Sequence, residues 1–247
     1  FQKLMQCFFD SDVVDVELLY DNAMLAVNWH QARKKNIKYI LAGTNLATEG
    51  MPMPKNWNWF KYDKKNIKNI AGKFGNIKLN TFPSIGVLGL FYARLVKRIK
   101  WVSILDFMEF NKFDVMEELA KNYGYKPYPY KHYESIFTRF YQGHILTGKF
   151  GVDKRLLHFS TLIISGQMSR KDAMRDLESI PYPSRENLED DTRYFLKKME
   201  WAPKDLENYI KRSPKCHSLY GSELKRYTFL TEKLRNFIPQ SLLKKVI

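Results

Sequence analysis

The sequence predicts an α/β protein whose parallel sheet is flanked by helices and followed by a helical C-terminal region. Apolar residues recur at helical spacing between Asp21 and Lys35, and the short β-rich run 37–42 follows directly. This run breaks at a polar turn that begins with Gly43, and a second β-rich run at 101–105 ends at Asp106. Helix, strand and glycine turn in this order are typical of domains with a parallel sheet.

The first half of the chain supplies the sheet elements and one long connection. Asp21 can cap the first helix, which we expect to end near Lys34, where a positive charge suits the C-terminal end. Because the run 37–42 is apolar throughout, we expect this strand to be buried in the sheet. Residues 50–80 combine prolines, tryptophans and lysines, and they predict a long loop that serves as a lid or binding loop. A helix over 88–99 precedes the second strand.

The second half is predicted to be mainly helical. Asn111 can cap a helix that ends at Gly124. Its apolar stripe consists of Val115, Met116, Leu119 and Ala120. Further helices are predicted over 134–142 and 154–164, another opens at Ser169, and Pro203 suits a first helical turn. We therefore expect an α/β domain over 1–180 and a helical extension over 181–247.

The composition favours anionic partners. The chain has 41 Lys and Arg against 26 Asp and Glu, a formal charge of +15, and such a field attracts nucleotides, sugar nucleotides, acidic proteins or anionic membranes. The basic residues are spread along the chain rather than gathered in a tail, which argues against nucleic acid as the partner. A solvated, lysine-rich surface is an equally good reading of the charge.

The cysteines and the apolar runs indicate in which cellular compartment we expect the protein. Cys7 and Cys216 lie far apart, which argues against a disulfide framework or a cysteine zinc site and favours a reducing cytoplasm. No signal peptide or transmembrane segment is visible, since the best apolar run, 85–96, is too short and contains Arg94. For this run a buried helix is favoured over an interfacial helix.

Three clusters of polar residues are candidates for chemistry. The turn 43–50 follows a predicted strand, and in open parallel sheets ligands bind at the carboxyl ends of the strands. Thr44 and Asn45 can form hydrogen bonds with a ribose or phosphate, and Glu49 can hold Mg²⁺. A plain strand-to-helix turn is the alternative. Lys154 and Arg155 begin a predicted helix, where positive charge opposes the helix dipole, a conflict that often marks function.

The third cluster is the run 131–142. If it is helical, Lys131, Ser135, Arg139 and Gln142 share one polar face, which suits phosphates or sugar hydroxyls. A solvated helix is the alternative reading. No catalytic triad, zinc-protease motif or Walker A sequence is present in the chain.

Together these segments resemble the N-acetyl sugar amidotransferases of bacterial lipopolysaccharide and nonulosonic-acid biosynthesis, members of the PP-loop ATPase superfamily. The matching stretches are 15–17, 43–50, 111–112, 131–142, 149–155 and 165–170. The most specific is Lys131-His132-x-Glu134-Ser135-x-Phe137-Thr138-Arg139-Phe140-x-Gln142. The resemblance covers roughly residues 1–200, and it implies that 1–180 is the C-terminal part of a PP-loop catalytic domain.

The resemblance also implies a reaction. ATP is split to AMP and pyrophosphate with Mg²⁺, the acetamido oxygen of a nucleotide sugar is adenylated, and ammonia displaces AMP to give an acetamidino group. Partner subunits, a glutaminase and a synthase-like protein, would supply the ammonia. Adenylation makes chemical sense here because it converts a poor leaving group into a good one.

The resemblance also implies roles for individual residues, in addition to those argued from their chemistry above. The implied nucleotide contacts are Gly43, Thr44, Asn45, Glu49 and Lys112, with Glu49 also holding Mg²⁺. The implied catalytic residues are Lys131, Glu134 and Arg139, and the implied substrate contacts are His132, Ser135, Lys154 and Arg155.

The sequence departs from the family pattern in two places. The Ser-Gly-Gly-x-Asp-Ser phosphate loop does not occur in this chain, and the resemblance implies that it lies upstream of Phe1. We therefore expect the chain alone to bind ATP weakly and to turn over slowly. Asn22 stands where the family pattern has histidine.

Two other functions fit the sequence. A tRNA-modifying PP-loop enzyme would account for the net charge, although no concentrated basic patch is visible. A non-catalytic, truncated subunit that binds sugar nucleotides would keep the polar clusters without hydrolysing ATP.

Overall fold

The computed structural model describes residues 1–126 and 135–237. These residues are mainly helical, with a small parallel sheet of two strands. The helices and strands in chain order are α1 (Gln2–Asp10), α2 (Leu18–Lys34), β1 (Tyr39–Ala42), α3 (Leu46–Glu49), α4 (Lys64–Gly75), α5 (Val87–Phe91), β2 (Lys100–Ser103), α6 (Lys112–Tyr123), α7 (Ile136–Phe140), α8 (Leu146–Phe150), α9 (Lys154–Ile164), α10 (Arg170–Glu178), α11 (Arg185–Met199), α12 (Pro203–Lys211) and α13 (Leu224–Phe237). Two π-helical segments, Tyr92–Val96 and Tyr141–Ile145, continue α5 and α7, and 3₁₀ turns occupy Ile104–Phe107 and His217–Tyr220.

The chain forms two compact units that alternate along the sequence. Unit 1 contains residues 1–42, 56–102 and 215–247, and unit 2 contains residues 43–55 and 103–214. The border expected at residue 180 separates a catalytic domain from a helical extension. It is a statement about function, and it stays a prediction.

The core of unit 1 lies between α2, the helix that begins at α5, and one face of the sheet. Its buried members are Ala26, Trp29, Ala32, Ile85, Leu90, Ala93 and Ile99. Ile40 of β1 and Trp101 of β2 pack against this cluster from the sheet. The alternate β1 residues, Tyr39 and Leu41, are exposed, as the two-residue period of a strand requires when only one face is covered.

A buried histidine joins the far ends of the sequence in unit 1. His217 is 1% exposed, and its Nε2 accepts a hydrogen bond of 3.2 Å from the backbone N–H of Asp15. Nδ1 therefore carries the proton, which it donates to Oδ1 of Asn66 at 2.8 Å. The ring of Trp59 stacks on the imidazole at 5.0 Å between centroids. Burial lowers the pKa of His217 to about 4, because a charged ring would lose its hydration and the N–H bond from Asp15.

Two buried aspartates complete this network. Asp15 accepts hydrogen bonds of 2.6 Å from the Trp59 backbone N–H and from the Lys61 ammonium. Burial raises the pKa of Asp15, but the positive charge of Lys61 and the hydrogen bonds that the carboxylate accepts together outweigh burial, and the pKa lies below its usual value. Asp63 caps α4 by accepting from the Asn66 N–H at 3.0 Å, and it also accepts from the Glu223 N–H at 3.0 Å. The network thus ties α4 to the C-terminal segment.

Several local predictions are confirmed. The side chains of Asn111 and Ser169 cap α6 and α10, and Gly124 ends α6 in the left-handed conformation with φ 68°. The predicted helix 154–164 has the bounds of α9, and Pro203 is the first residue of α12.

Other predictions need correction. The long helix starts at Leu18, so Asp21 lies in its first turn and does not cap it. The first strand is not buried on both faces, since Tyr39 and Leu41 are exposed. The predicted loop 50–80 contains α4, whose Ile67, Ile70 and Ala71 are buried at helical spacing. The second strand ends at Ser103 and is followed by a 3₁₀ turn.

Two helices also differ from expectation. The apolar stripe of α6 contains no buried residue. The described part of the helix expected over 134–142 starts at Ile136, and its continuation through the π-helical segment and α8 reaches Phe150. Phe140 and Tyr141 are fully buried at the join, so apolar packing extends this helix beyond its predicted end.

Candidate functional site

The turn 43–50 is held in place by its own polar side chains. Oδ1 of Asn45 caps α3 by accepting from the Thr48 backbone N–H at 2.8 Å and from the Thr48 hydroxyl at 3.1 Å. The Leu46 N–H donates to Asp106 at 2.7 Å, and the hydroxyls of Thr44 and Ser103 lie 2.8 Å apart. Within unit 2 the turn is therefore fastened to the segment that follows β2, and Glu49 is presented at the end of α3.

Helix α9 supplies the opposite wall of the site. Asp153 caps it by accepting from the Arg155 N–H at 2.9 Å, and α9 packs against α3. Lys154 and His158 stand one turn apart on α9, so both side chains lie on the same side of the helix.

A cavity of about 370 Å³ lies between α3, the residues that follow it, and α9. Its lining residues are Thr48, Glu49, Met51, Met53, Lys154, Leu157, His158 and Thr161. The cavity falls within the size range of small-molecule sites, and the mixture of apolar walls with a few polar groups is typical of them. Two predicted site residues, Glu49 and Lys154, are thus brought into one pocket although they lie far apart in the sequence.

Glu49 and Lys154 are the charged side chains of the pocket that could hold a metal ion or a phosphate. Within 1–126 and 135–237, no group of three His, Cys, Asp or Glu side chains is arranged to hold a metal ion. Mg²⁺ commonly uses one or two carboxylates and takes its remaining ligands from phosphates and water. Glu49 can supply such a carboxylate, and Lys154 can supply positive charge for a phosphate.

Arg155 lies beside the pocket but its guanidinium bonds protein groups. It forms an ion pair with Asp153 at 2.8 Å and donates to the backbone oxygens of Asp176 at 3.1 Å and Ser179 at 3.0 Å. These carbonyls lie at the C-terminal end of α10, where a cation is favourable. The arrangement fixes α9 against α10, and the predicted substrate contact of Arg155 stays a prediction.

Arg139 is held in a similar way. Its Nη2 donates to Oδ1 of Asp191 at 2.6 Å and its Nε donates to Oδ2, so α7 and α11 are joined by a two-pronged ion pair. Asp191 is 3% exposed and also accepts from the hydroxyl of Tyr182. Burial and the neighbouring carboxylate raise the pKa of Tyr182, which keeps this phenol protonated and donating. The catalytic role predicted for Arg139 stays untested.

The ion pair leads to a stability prediction. Replacing Arg139 by Ala leaves the Asp191 carboxylate buried without its cation, so we expect the free energy of unfolding to fall by about 3 kcal/mol. Urea unfolding followed by circular dichroism measures this value. The double variant Arg139→Ala, Asp191→Asn should recover part of the loss, since no buried charge remains. Equal stability of the wild type and Arg139→Ala would contradict the prediction.

The remaining predicted residues occupy helix ends or lie outside the described ranges. Ser135 caps α7, its Oγ accepting from the Thr138 N–H at 3.3 Å. Lys112 begins α6, and its backbone N–H donates to Gln167 at 2.8 Å. Gly43 is exposed at the start of the turn. Lys131, His132 and Glu134 lie outside the described residues.

Sequence reasoning missed part of the pocket lining. Met51, Met53 and Thr161 carry no motif, and only the tertiary contact of α3 with α9 brings them to the cavity. The position of His158 beside Lys154 could be predicted from the sequence, because it stands four residues later on the same predicted helix.

One comparison with known proteins gives a match. Residues 134–235 match the family described as LPS biosynthesis protein WbpG-like, C-terminal domain. The match supports a lipopolysaccharide-related family. It covers less than half of the chain, and it includes α7 to α12 of unit 2. No curated protein and no solved structure matches the chain significantly.

The description of the matched family names lipopolysaccharide biosynthesis. None of the helices in the described ranges combines the length and apolar character needed to cross a bilayer.

Proposed function

We propose that this chain is part of an ATP-dependent amidotransferase that converts an acetamido group of a nucleotide sugar to an acetamidino group. The observation that supports it most directly is the pocket between α3 and α9, which joins Glu49 from the turn 43–50 to Lys154. A carboxylate and an ammonium in one cavity suit a phosphate chain and its Mg²⁺. The family match over 134–235 supports the assignment to polysaccharide biosynthesis.

The proposed reaction has two steps. The acetamido oxygen attacks the α-phosphorus of ATP, a new O–P bond forms and pyrophosphate leaves. Ammonia then attacks the carbon of the adenylated group, the C–O bond breaks and AMP departs with that oxygen. The proton lost by the ammonia nitrogen must pass to a base, and the product is an acetamidino sugar.

The pocket residues divide these tasks. Glu49 would hold Mg²⁺ together with phosphate oxygens, and the ion supplies charge neutralisation as pyrophosphate forms. Lys154 would attract the phosphate chain. Among the described residues that line the pocket, His158 supplies an imidazole, the side chain that most often accepts a proton in catalysis, and it would accept the ammonia proton. Met51, Met53 and Leu157 would exclude water, which competes with ammonia for the activated carbon.

Release of AMP tests the proposal. The full-length gene product is incubated with ATP, Mg²⁺, ammonium and a panel of UDP- and CMP-linked diacetamido sugars. We expect AMP to form only when sugar and ammonium are both present, and mass spectrometry should show a sugar lighter by one mass unit, as O is replaced by NH. The matched control is the same sugar without its acetamido groups.

Two other results of this assay would indicate a function other than that of an amidotransferase. AMP formation with tRNA, and none with any sugar, would identify a modifying enzyme. A failure to form AMP with either substrate would favour a non-catalytic subunit that binds nucleotide sugars.

A further inference from the structure

The helix formed by α5 and its π-helical continuation is apolar on both sides. Its inner side, with Val87, Leu90 and Ala93, is buried in the core of unit 1. Its outward residues are also apolar. The exposed fractions of the side chains are 62% for Leu88, 41% for Tyr92, 37% for Leu95 and 63% for Val96. These four residues form the outer face of the helix.

The outer face is unusual for a surface helix. Positions 88, 92, 95 and 96 follow the spacing of a single helical stripe, and such an outward stripe is ordinarily polar or charged. A helix that is apolar all round is expected to be covered on both sides. The apolar run 85–96 predicts a buried helix, and the structure buries only its inner side.

Cations flank the C-terminal half of the outer face, whereas the carboxylate of Glu223 lies at the other end of the helix, beside Gly86. The guanidinium of Arg33 and the ammonium of Lys97 each lie 5.9 Å from the ring centroid of Tyr92. Lys38 is exposed, and it donates to the backbone oxygen of Lys97 at 3.1 Å. Arg98 follows directly and is exposed. The surrounding sequence is purely basic, since neither 22–48 nor 64–105 contains an Asp or Glu.

We propose that the outer face docks on the surface of a bilayer that contains anionic lipids. Leu88, Leu95 and Val96 would enter the boundary between headgroups and acyl chains, and Tyr92 would lie at headgroup level. The flanking cations would pair with lipid phosphates, because basic residues near an anionic surface are attracted to it. Because the helix is too short to cross a bilayer, it would lie along the membrane surface.

The exposed aliphatic side chains decide between the possible anionic partners. A nucleic acid would satisfy the cations and could stack on Tyr92, but it offers nothing apolar to Leu88, Leu95 or Val96. A bilayer surface provides negative charge and an apolar layer at the same place. This proposal rests on unit 1 alone and does not depend on the amidotransferase reaction.

Vesicle binding tests the proposal. The 247-residue chain is sedimented with vesicles of phosphatidylcholine alone or with 30 mol% phosphatidylglycerol, at low and high salt. We expect binding to the anionic vesicles that weakens with salt, and little binding to the neutral ones. One double variant, Leu88→Ser with Val96→Ser, removes the aliphatic contact. A second double variant, Lys97→Gln with Arg98→Asn, removes two positive charges. Asn is chosen at position 98 because it tolerates the φ of 55° there.

Each pair has a matched control in exposed residues elsewhere. These are Ile164→Ser with Leu219→Ser for the apolar pair, and Lys204→Gln with Lys211→Gln for the cations. We expect each outer-face variant to lower the vesicle partition coefficient about tenfold or more and the controls to leave it unchanged. Absence of binding to anionic vesicles would overturn the proposal. So would equal loss in the controls, or persistence of binding in Leu88→Ser, Val96→Ser, which would indicate a purely electrostatic contact such as that with RNA.

Discussion

Replacing Glu49 by Gln is expected to lower the rate of AMP formation by the full-length gene product about 100-fold. The substitution keeps the size of the side chain and removes the pocket carboxylate proposed to hold Mg²⁺. The cap of α3 uses Asn45 and the Thr48 N–H, so the fold of the turn should be unchanged. Because a weakened site needs more metal, the Mg²⁺ concentration for half-maximal rate should rise. Initial rates over a range of Mg²⁺ concentrations measure both effects.

The control for this prediction is Glu186→Gln, which removes an exposed carboxylate at the start of α11. It should match the wild type in rate and in Mg²⁺ requirement. If Glu49→Gln also matched the wild type in both, Glu49 would not be a metal ligand. If it lost rate without any change in Mg²⁺ requirement, the carboxylate would act in another way, for example by orienting Lys154.

The second large effect concerns pH. The pKa of His217 lies near 4 in the folded protein and near 6.5 in an unfolded chain. Between these values the unfolded chain binds more protons, so stability falls as the pH falls. We expect the free energy of unfolding to drop by about 2 kcal/mol between pH 7 and pH 5 on account of this one group. Asp15 titrates below this window, because its pKa is lowered.

Urea unfolding at a series of pH values checks this prediction. The variant His217→Gln can still accept the Asp15 N–H but does not titrate, so its stability should be lower at pH 7 and should change much less between pH 7 and pH 5. His30 is a suitable comparison, because it is a partly buried histidine on α2 whose pKa is lowered less than that of His217. The variant His30→Gln should therefore retain most of the wild-type slope. A His217→Gln protein with the wild-type slope would show that other groups cause the pH dependence.

The features that could be predicted from the sequence are those determined by nearby residues. Asn111, Ser169 and Pro203 mark helix starts because a side-chain acceptor or a fixed φ acts within one turn. The burial of β1 could not be predicted in this way, since an apolar run does not reveal how many of its faces will be covered. Helix α4 was missed because the prolines and tryptophans before it favoured a loop, although Ile67, Ile70 and Ala71 have helical spacing.

In the candidate site, too, only the features determined by nearby residues could be predicted from the sequence. The turn 43–50 and the start of α9 were each recognised from local polarity and from the family resemblance. Their convergence on one cavity depends on the packing of α3 against α9, which joins residues about a hundred positions apart. The roles of Arg139 and Arg155 in joining helices could not be foreseen either, because Asp191 and the α10 carbonyls are distant in sequence.

The interleaved order of the two units also constrains how the chain is made. Unit 1 needs the segment that begins at Lys215, since His217 must reach Asp15 and Asn66, and Lys215 pairs with Val13. During synthesis about 210 residues are added between the first helix, with Phe8 and Phe9 on its buried side, and His217. At ordinary elongation rates this takes some ten to forty seconds. Unit 2 is complete earlier, at residue 214. While the residues between α1 and Lys215 are made, the nascent chain thus carries an apolar helix without its packing partners, which makes unit 1 a natural client of a chaperone.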